Sequence, residues 1–214
     1  YPSITQLFGY LFTLLLTVII PIAIVFCICS KEIISIAYLR GNFNTDSTEI
    51  TAYCFFFLAI IIPFKVADIL FSRLFTALQL YSVAVLFAFI AHGLFALLTY
   101  VLTTYFKLTG YFWSLIVGNY LFVSAAFILI IKIKAGYLIN RTLLRNLYKL
   151  LFITIATSGI TYQVKQYMNF NAIINVCLIS VIVSALFWVS AYFFLDMEPA
   201  RKLLQQSLKK LKLI

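Results

Sequence analysis

The feature that most constrains this chain is the recurrence of long segments that are almost free of charge. Each segment has roughly the 20 apolar residues that one helical crossing of a hydrocarbon layer about 30 Å thick requires. They lie at approximately 7–29, 50–71, 81–105, 111–131, 146–164 and 172–194. With 64% hydrophobic and 10% charged residues, a soluble domain of 214 residues could not bury so much apolar surface. We therefore predict an integral membrane protein.

These segments are predicted to be helices rather than strands. They are continuously apolar instead of alternating with a period of two, and an open sheet edge would leave backbone groups unpaired in lipid. We expect an all-α fold with six transmembrane helices and no internal linker rich in proline, glycine or serine. The predicted organisation is four helices in 1–131, a basic cytoplasmic linker with two additional helices in 132–195, and a basic amphipathic cytoplasmic tail in 196–214.

The basic residues fall mainly on alternate connections. If the N-terminus is cytoplasmic, eleven of the sixteen lie in cytoplasmic connections and the tail, four lie on the opposite side, and Lys65 lies within a span. The positive-inside rule selects this orientation, with both ends of the segment in the cytoplasm. The net charge of +10 therefore indicates contact with anionic inner-leaflet lipids rather than nucleic acid. The tail is expected to lie along the inner membrane surface or, alternatively, to dock a partner.

The first connection, AYLRGNFNTDSTEITAY at 37–53, is short and polar. Gly41 can turn the chain, and Asp46 with Glu49 three residues later matches a capping box at the start of the next helix. The preceding residues 31–39 are amphipathic. They are expected to form a short helix at the membrane surface or simply to continue the first helix.

Lys65, Asp68 and His92 lie inside the predicted spans and are candidates for function because charge is costly there. Lys65 and Asp68 are three residues apart and so share a helix face. They could line a cavity, Lys65 attracting a phosphate and Asp68 coupling to a cation or proton, or they could pack against a helix or reach the headgroups. His92 could relay protons or hydrogen-bond to a neighbouring helix.

Enzyme chemistry finds little support in the sequence. No nucleophile, base and orienting group can be nominated together, and no glycine-rich phosphate loop is present. No set of histidine, cysteine and acidic residues has metal-ligand spacing. We predict a protein that is not an enzyme and needs no cofactor or metal.

Two motifs around the first connection point to a family. A helix with the central proline Pro21 (LLLTVIIPIAIVF) leads to an arginine-glycine-any-phenylalanine turn, and the next helix ends in RLFTALQ. This order resembles the MurJ/MviN lipid II flippases of the multidrug/oligosaccharidyl-lipid/polysaccharide exporter superfamily. The residues that match the family motifs are Pro21, Arg40, Gly41, Phe43, Phe75, Ala77, Leu78 and Gln79. The sequence departs from the family at Thr76, where tyrosine is usual, and at Leu80 to Ser82, where the family continues with Asp-Thr and a nearby proline.

The resemblance implies the fold and function of a larger protein. The chain would be the C-terminal part of a MATE-like two-lobe transporter, and the N-terminal lobe with its cavity arginines would be a missing partner. The whole would flip a polyprenyl-pyrophosphate cell-wall precursor, lipid II, across the bacterial inner membrane by alternating access. Two alternatives stay open: a flippase for O-antigen or other polysaccharide precursors, and a non-transporting membrane scaffold.

Overall fold

The computed structural model describes residues 4–39, 44–133, 141–168 and 170–195, whose regular elements are all helices. In chain order these are α1 (Ile4–Ile28), α2 (Ser30–Tyr38), α3 (Thr45–Ala77), α4 (Tyr81–Ile133), α5 (Arg141–Gln166) and α6 (Ala172–Phe194). The predicted all-α fold is confirmed for these ranges. The predicted amphipathic tail at 196–214 and the motif residues Arg40, Gly41 and Phe43 lie outside the described residues.

Four helices, α1, α3, α4 and α6, are long and apolar enough to cross a membrane. The helix α5 does not meet that standard, because threonines and flanking basic residues lower its mean hydropathy. The 53 residues of α4 would extend about 80 Å if unbroken, more than twice the thickness of a hydrocarbon layer. The count of six crossings stays a prediction that requires α4 to cross twice and α5 to cross once.

The helix α4 is in fact two antiparallel arms. Lys107, with φ 50° and ψ −128°, interrupts the helix and divides it into a first arm, 81–106, and a second arm, 108–133. The oxygens of the Thr99 and Ser114 hydroxyls are 2.8 Å apart across the two arms. The sequence predicted this break between its third and fourth segments.

Further contacts along the hairpin show that the arms stay together toward its open end. The rings of Phe87 and Phe122 are centred 5.0 Å apart. Gly118 faces Phe95 so closely that a Cβ at position 118 would lie 3.0 Å from that ring. A small residue at 118 therefore lets the two backbones approach each other, which is the packing role that small residues have between membrane helices.

The helix α3 begins earlier than predicted, and its cap is a different residue. The side-chain oxygen of Asn44 accepts a hydrogen bond from the Ser47 N–H at 2.8 Å, so Asn44 is the N-cap. The prediction of Asp46 as the cap with Glu49 in a capping box is wrong. Asparagine caps as well as aspartate does, and Asp46 lies in the first turn, where its charge favours the helix dipole. Glu49 instead pairs with Lys31 at 2.6 Å.

The helix α2 is separate from α1, because Cys29 turns the backbone between them. The alternative of a simple continuation of the first helix is thus wrong. The helix α2 lies against α3 and α6 and buries Ile34. Its position at a membrane surface stays a prediction.

The core of the bundle is centred on α1, which contacts α3 on one side and α5 and α6 on the other. The α4 hairpin packs on α3. Phe71 of α3 is fully buried among three rings, those of Phe8, Phe12 and Phe127, with centroids 5.9, 5.5 and 6.1 Å away. The α5–α6 pair and the α4 hairpin thus lie on opposite sides of the α1–α3 pair.

Contacts between chain-distant residues define the two ends of the bundle. At one end Lys165 reaches Glu32, and the Tyr53 hydroxyl lies 3.2 Å from that of Thr109. We call this the Lys165 end. At the opposite end Gly9 of α1 faces the side chain of Leu143 of α5. The helices therefore run alternately between two ends, as successive crossings of a bilayer would.

Candidate functional site

The predicted ion pair between Lys65 and Asp68 is present on α3. The Lys65 Nζ lies 3.8 Å from Asp68 Oδ2, and the two side chains, on one helix face, are 57% and 26% exposed. Both residues lie within a helix that is long and apolar enough to span a membrane. The Lys65 ammonium therefore points away from the helix bundle rather than into a packed interface.

His92 lies near the middle of the first arm of α4 and faces the same region. Its Nδ1 is 2.7 Å from the carbonyl of Ala88, one turn earlier on its own helix. A carbonyl only accepts, so Nδ1 donates and Nε2 is the nitrogen left for another partner. The Nδ1 bond is thus made within α4, and a bond from Nε2 to a neighbouring helix stays a prediction.

The structure brings these three side chains together, which we call the polar cluster. The His92 ring of α4 lies within electrostatic range of the Asp68 carboxylate, which is paired with Lys65 on its own helix. A charged side chain directed into lipid at the centre of a bilayer costs about 2.5 to 3.5 kcal/mol on translocon scales. An exposed lysine within a span must therefore either reach water in a cavity or extend its ammonium to the headgroups.

An open apolar surface lies along one face of the first arm of α4. It is formed by Tyr81, Ser82, Val85, Leu86 and Phe89, all on that arm. Phe89 is one helical turn from His92, so this surface lies on the same side of the arm as His92. An amphiphile could contact apolar and charged groups together on this surface.

The family signature at the end of α3 forms a helix cap. The Leu80 N–H bonds to the Phe75 carbonyl and the Gln79 N–H to the Thr76 carbonyl, both at 3.0 Å, in the pattern of a Schellman motif. Gln79 takes the left-handed conformation that this motif requires, with φ 57°. The other two signature residues, Ala77 and Leu78, are the last helical residue and the C-cap. The signature thus stops α3 and starts α4.

The other described motif residue, Pro21, is buried inside α1, which continues through it as a helix. A second proline, Pro63, lies inside α3, which is likewise unbroken. Neither proline therefore breaks its helix.

The structure contains a second ion pair, between Glu32 and Lys165, that the sequence analysis did not predict. Glu32 of α2 and Lys165 of α5 meet at the Lys165 end although they are 133 positions apart in the chain.

Four free cysteines are present, and Cys29 lies beside this pair. Burial raises the pKa of the Cys29 thiol to about 11. None of these contacts has a local sequence signal, because each depends on how distant helices pack. Among the described residues, no group of three or more metal-ligating side chains occurs.

The long apolar helices, their alternation between two ends and the intrahelical charges define a class: the chain is a multi-pass helical membrane protein. Comparison with protein families then identifies which one. The family model described as lipid II flippase MurJ matches residues 3–183, and the chain belongs to that family of inner-membrane transporters of lipid-linked precursors. No curated protein and no solved structure gives a significant match to it.

Proposed function

We propose that this chain is part of a flippase that moves lipid II, a polyprenyl-pyrophosphate precursor of the cell wall, from the inner to the outer leaflet by alternating access. The family match over residues 3–183 supports flipping of a lipid-linked precursor. The exposed polar cluster within apolar helices is the observation that supports a path for its charged headgroup.

In this proposal the polar cluster lines the central cavity. Lys65 attracts a phosphate of the headgroup, which a lysine can do as a point charge. Asp68 holds Lys65 in the absence of substrate and exchanges that partner for a cation or a proton during the cycle. His92 of α4 interacts with the charge of Asp68 on α3. Binding of substrate or a cation at the cluster would therefore change interactions of both helices.

The proposed topology places the Lys165 end outside and the opposite end in the cytoplasm. Among the described basic residues, Arg73, Arg141, Arg145 and Lys149 lie toward the end opposite Lys165, in agreement with the positive-inside rule. The helices α1, α3 and the two arms of α4 complete the second lobe of a MATE-like transporter, whose first lobe is the missing partner. The α5–α6 pair helps form a groove for the lipid tail, and anionic lipids contact the basic linker and tail.

The test is the sidedness of the precursor in cells. Depletion of the intact protein should accumulate lipid-linked precursor on the inner leaflet, measured with a membrane-impermeant reagent that modifies the headgroup only on the outer face. Unchanged sidedness would contradict the flippase proposal and favour the scaffold. Accumulation of a different polyprenyl-pyrophosphate sugar would overturn lipid II as the substrate.

Complementation of depleted cells with variants distinguishes a specific role of the polar cluster from a general loss of folding. Lys65→Gln and Asp68→Asn should restore the outer-leaflet precursor at least tenfold less well than the wild type, whereas Lys65→Arg should retain most activity because it keeps the charge. Asp46→Asn is the matched control, since Asp46 is an exposed acid at the start of the same helix. Equal activity of Asp68→Asn and Asp46→Asn would remove the cluster from the proposed path.

A further inference from the structure

The contact between Lys165 and Glu32 joins three helices at one point. The Lys165 Nζ lies 2.8 Å and 2.9 Å from the two oxygens of the Glu32 carboxylate. The same ammonium donates a hydrogen bond to the backbone carbonyl of Ile28. These partners belong to α5, α2 and the C-terminus of α1. We call this arrangement the Lys165 clasp.

Each charge of the clasp lies at a helix end that favours it. Lys165 is in the last turn of α5 and contacts the last residue of α1, and helix C-termini carry partial negative charge. Glu32 is in the first turn of α2, where the partial charge is positive. The helices therefore favour the two charges in these positions and would oppose their exchange.

The clasp is more protected from solvent than a second ion pair on the same short helix. The side chains of Lys165 and Glu32 are 24% and 17% exposed, whereas those of Lys31 and Glu49 are both 64% exposed. Exposed ion pairs contribute little because water and salt screen them. Lys31 is thus a matched control, a lysine on α2 next to Glu32 that makes a solvated pair with α3.

We propose that Lys165 is a positioning residue that fixes the Lys165 end of the α5–α6 pair against α1 and α2. At the opposite end the pair is held by apolar packing such as that of Leu143 against Gly9. Without the clasp, α5 would separate from α1 and α2 at the Lys165 end. The consequence for transport rests on the proposed function, in which the α5–α6 pair forms part of the path for the lipid tail.

Cys29 is a native reporter of this separation. It is fully buried, follows Ile28 directly, and lies within electrostatic range of both Lys165 and Glu32. Modification by a maleimide requires access of the reagent to the thiolate. Closure of the clasp should therefore protect Cys29.

The experiment uses the intact protein in membranes with Cys29 as its single cysteine. Labelling by a small maleimide should be at least tenfold faster in Lys165→Met and in Glu32→Gln than in the parent protein, and unchanged in Lys31→Gln. Lys165→Arg should remain slow, because arginine keeps the charge and can bind both carboxylate oxygens. Equal labelling rates in the parent and in Lys165→Met would overturn the clasp.

A double variant distinguishes positioning from the cost of an unpaired charge. Removing one partner of a buried pair leaves the other charge uncompensated, whereas removing both does not. If the clasp positions α5, Glu32→Gln combined with Lys165→Met should still label at least tenfold faster than the parent protein. Return of the double variant to the slow parental rate would contradict positioning.

A transport assay measures the amount of outer-leaflet precursor in the same variants. Fast labelling together with a several-fold loss of flipping in the double variant supports the role of the clasp in transport. Fast labelling with unchanged flipping would overturn that role. If the parent protein does not flip the precursor at all, the proposed function fails, but the labelling comparison still decides whether the clasp positions α5.

Discussion

Replacement of Gly110 by alanine should disrupt the turn of the α4 hairpin. Gly110 follows the break at Lys107 and lies so close to the first arm that an added Cβ would be 2.0 Å from the carbonyl oxygen of Leu102. The same Cβ would be 2.4 Å from the carbonyl carbon and 2.9 Å from the Thr103 nitrogen. These are backbone atoms, so no side-chain rotation can relieve the contact, and the two arms must move apart.

The size of the effect follows from two opposing terms. Overpacking in a closely packed region costs about 1 to 3 kcal/mol, and a clash with backbone belongs at the upper end of that range. Alanine regains about 1 kcal/mol of helix propensity over glycine. Gly110→Ala should therefore lose about 2 kcal/mol of unfolding free energy, combining the upper value with the propensity gain.

Gly93 supplies the matched control on the same helix. An added Cβ at Gly93 meets no atom within 4 Å, so Gly93→Ala should gain about 1 kcal/mol from helix propensity alone. Thermal unfolding of the purified protein in detergent should show a Tm about 4 to 8 °C lower for Gly110→Ala and about 2 to 4 °C higher for Gly93→Ala, at about 2 to 4 °C per kcal/mol. Equal Tm values for the two variants would refute the close approach of the arms.

Three further outcomes are expected. Gln79→Gly should raise the unfolding free energy by about 1 kcal/mol, because glycine adopts the left-handed conformation of Gln79 without strain, and should leave flipping unchanged; a loss of flipping would show that the Gln79 side chain acts beyond the cap. Phe71→Ala should lose about 3 kcal/mol by emptying the aromatic core, whereas Phe89→Ala, at a ring that is 79% exposed, should change stability little; equal losses in thermal unfolding would contradict the packing described. Because the Cys29 pKa is raised to about 11, its thiolate is scarce at neutral pH and maleimide labelling should rise about tenfold per pH unit below that value; a rate that levels off near pH 9 would contradict the burial.

The positions of the long helices could be predicted from the sequence because they depend on local composition. The apolar runs located α1, α3, α6 and both arms of α4 in order, and the i, i+3 spacing was enough to predict the Lys65–Asp68 pair. The helix ends were predicted less well. The helix α3 extends beyond its apolar run at both ends, where the Asn44 cap and the Schellman motif at Gln79 add polar turns.

Contacts between helices could not be predicted, since they depend on relative rotation and packing. His92 comes within electrostatic range of Asp68 only because the α4 hairpin packs on α3. Glu32 and Lys165 meet because α2 and α5 converge on the C-terminus of α1, and neither residue belongs to a recognisable motif. The N-cap of α3 was assigned to the wrong residue because several residues between 44 and 47 have side chains that can cap a helix.

The central claim is tested most directly by the access of water to position 65. In the intact protein without other cysteines, a cysteine replacing Lys65 is labelled with a membrane-impermeant thiol reagent and compared with one replacing Val189, an exposed apolar residue of α6. A water-filled cavity predicts faster labelling at 65 than at 189. Labelling at 65 that is no faster than at 189 would contradict a headgroup path along the polar cluster.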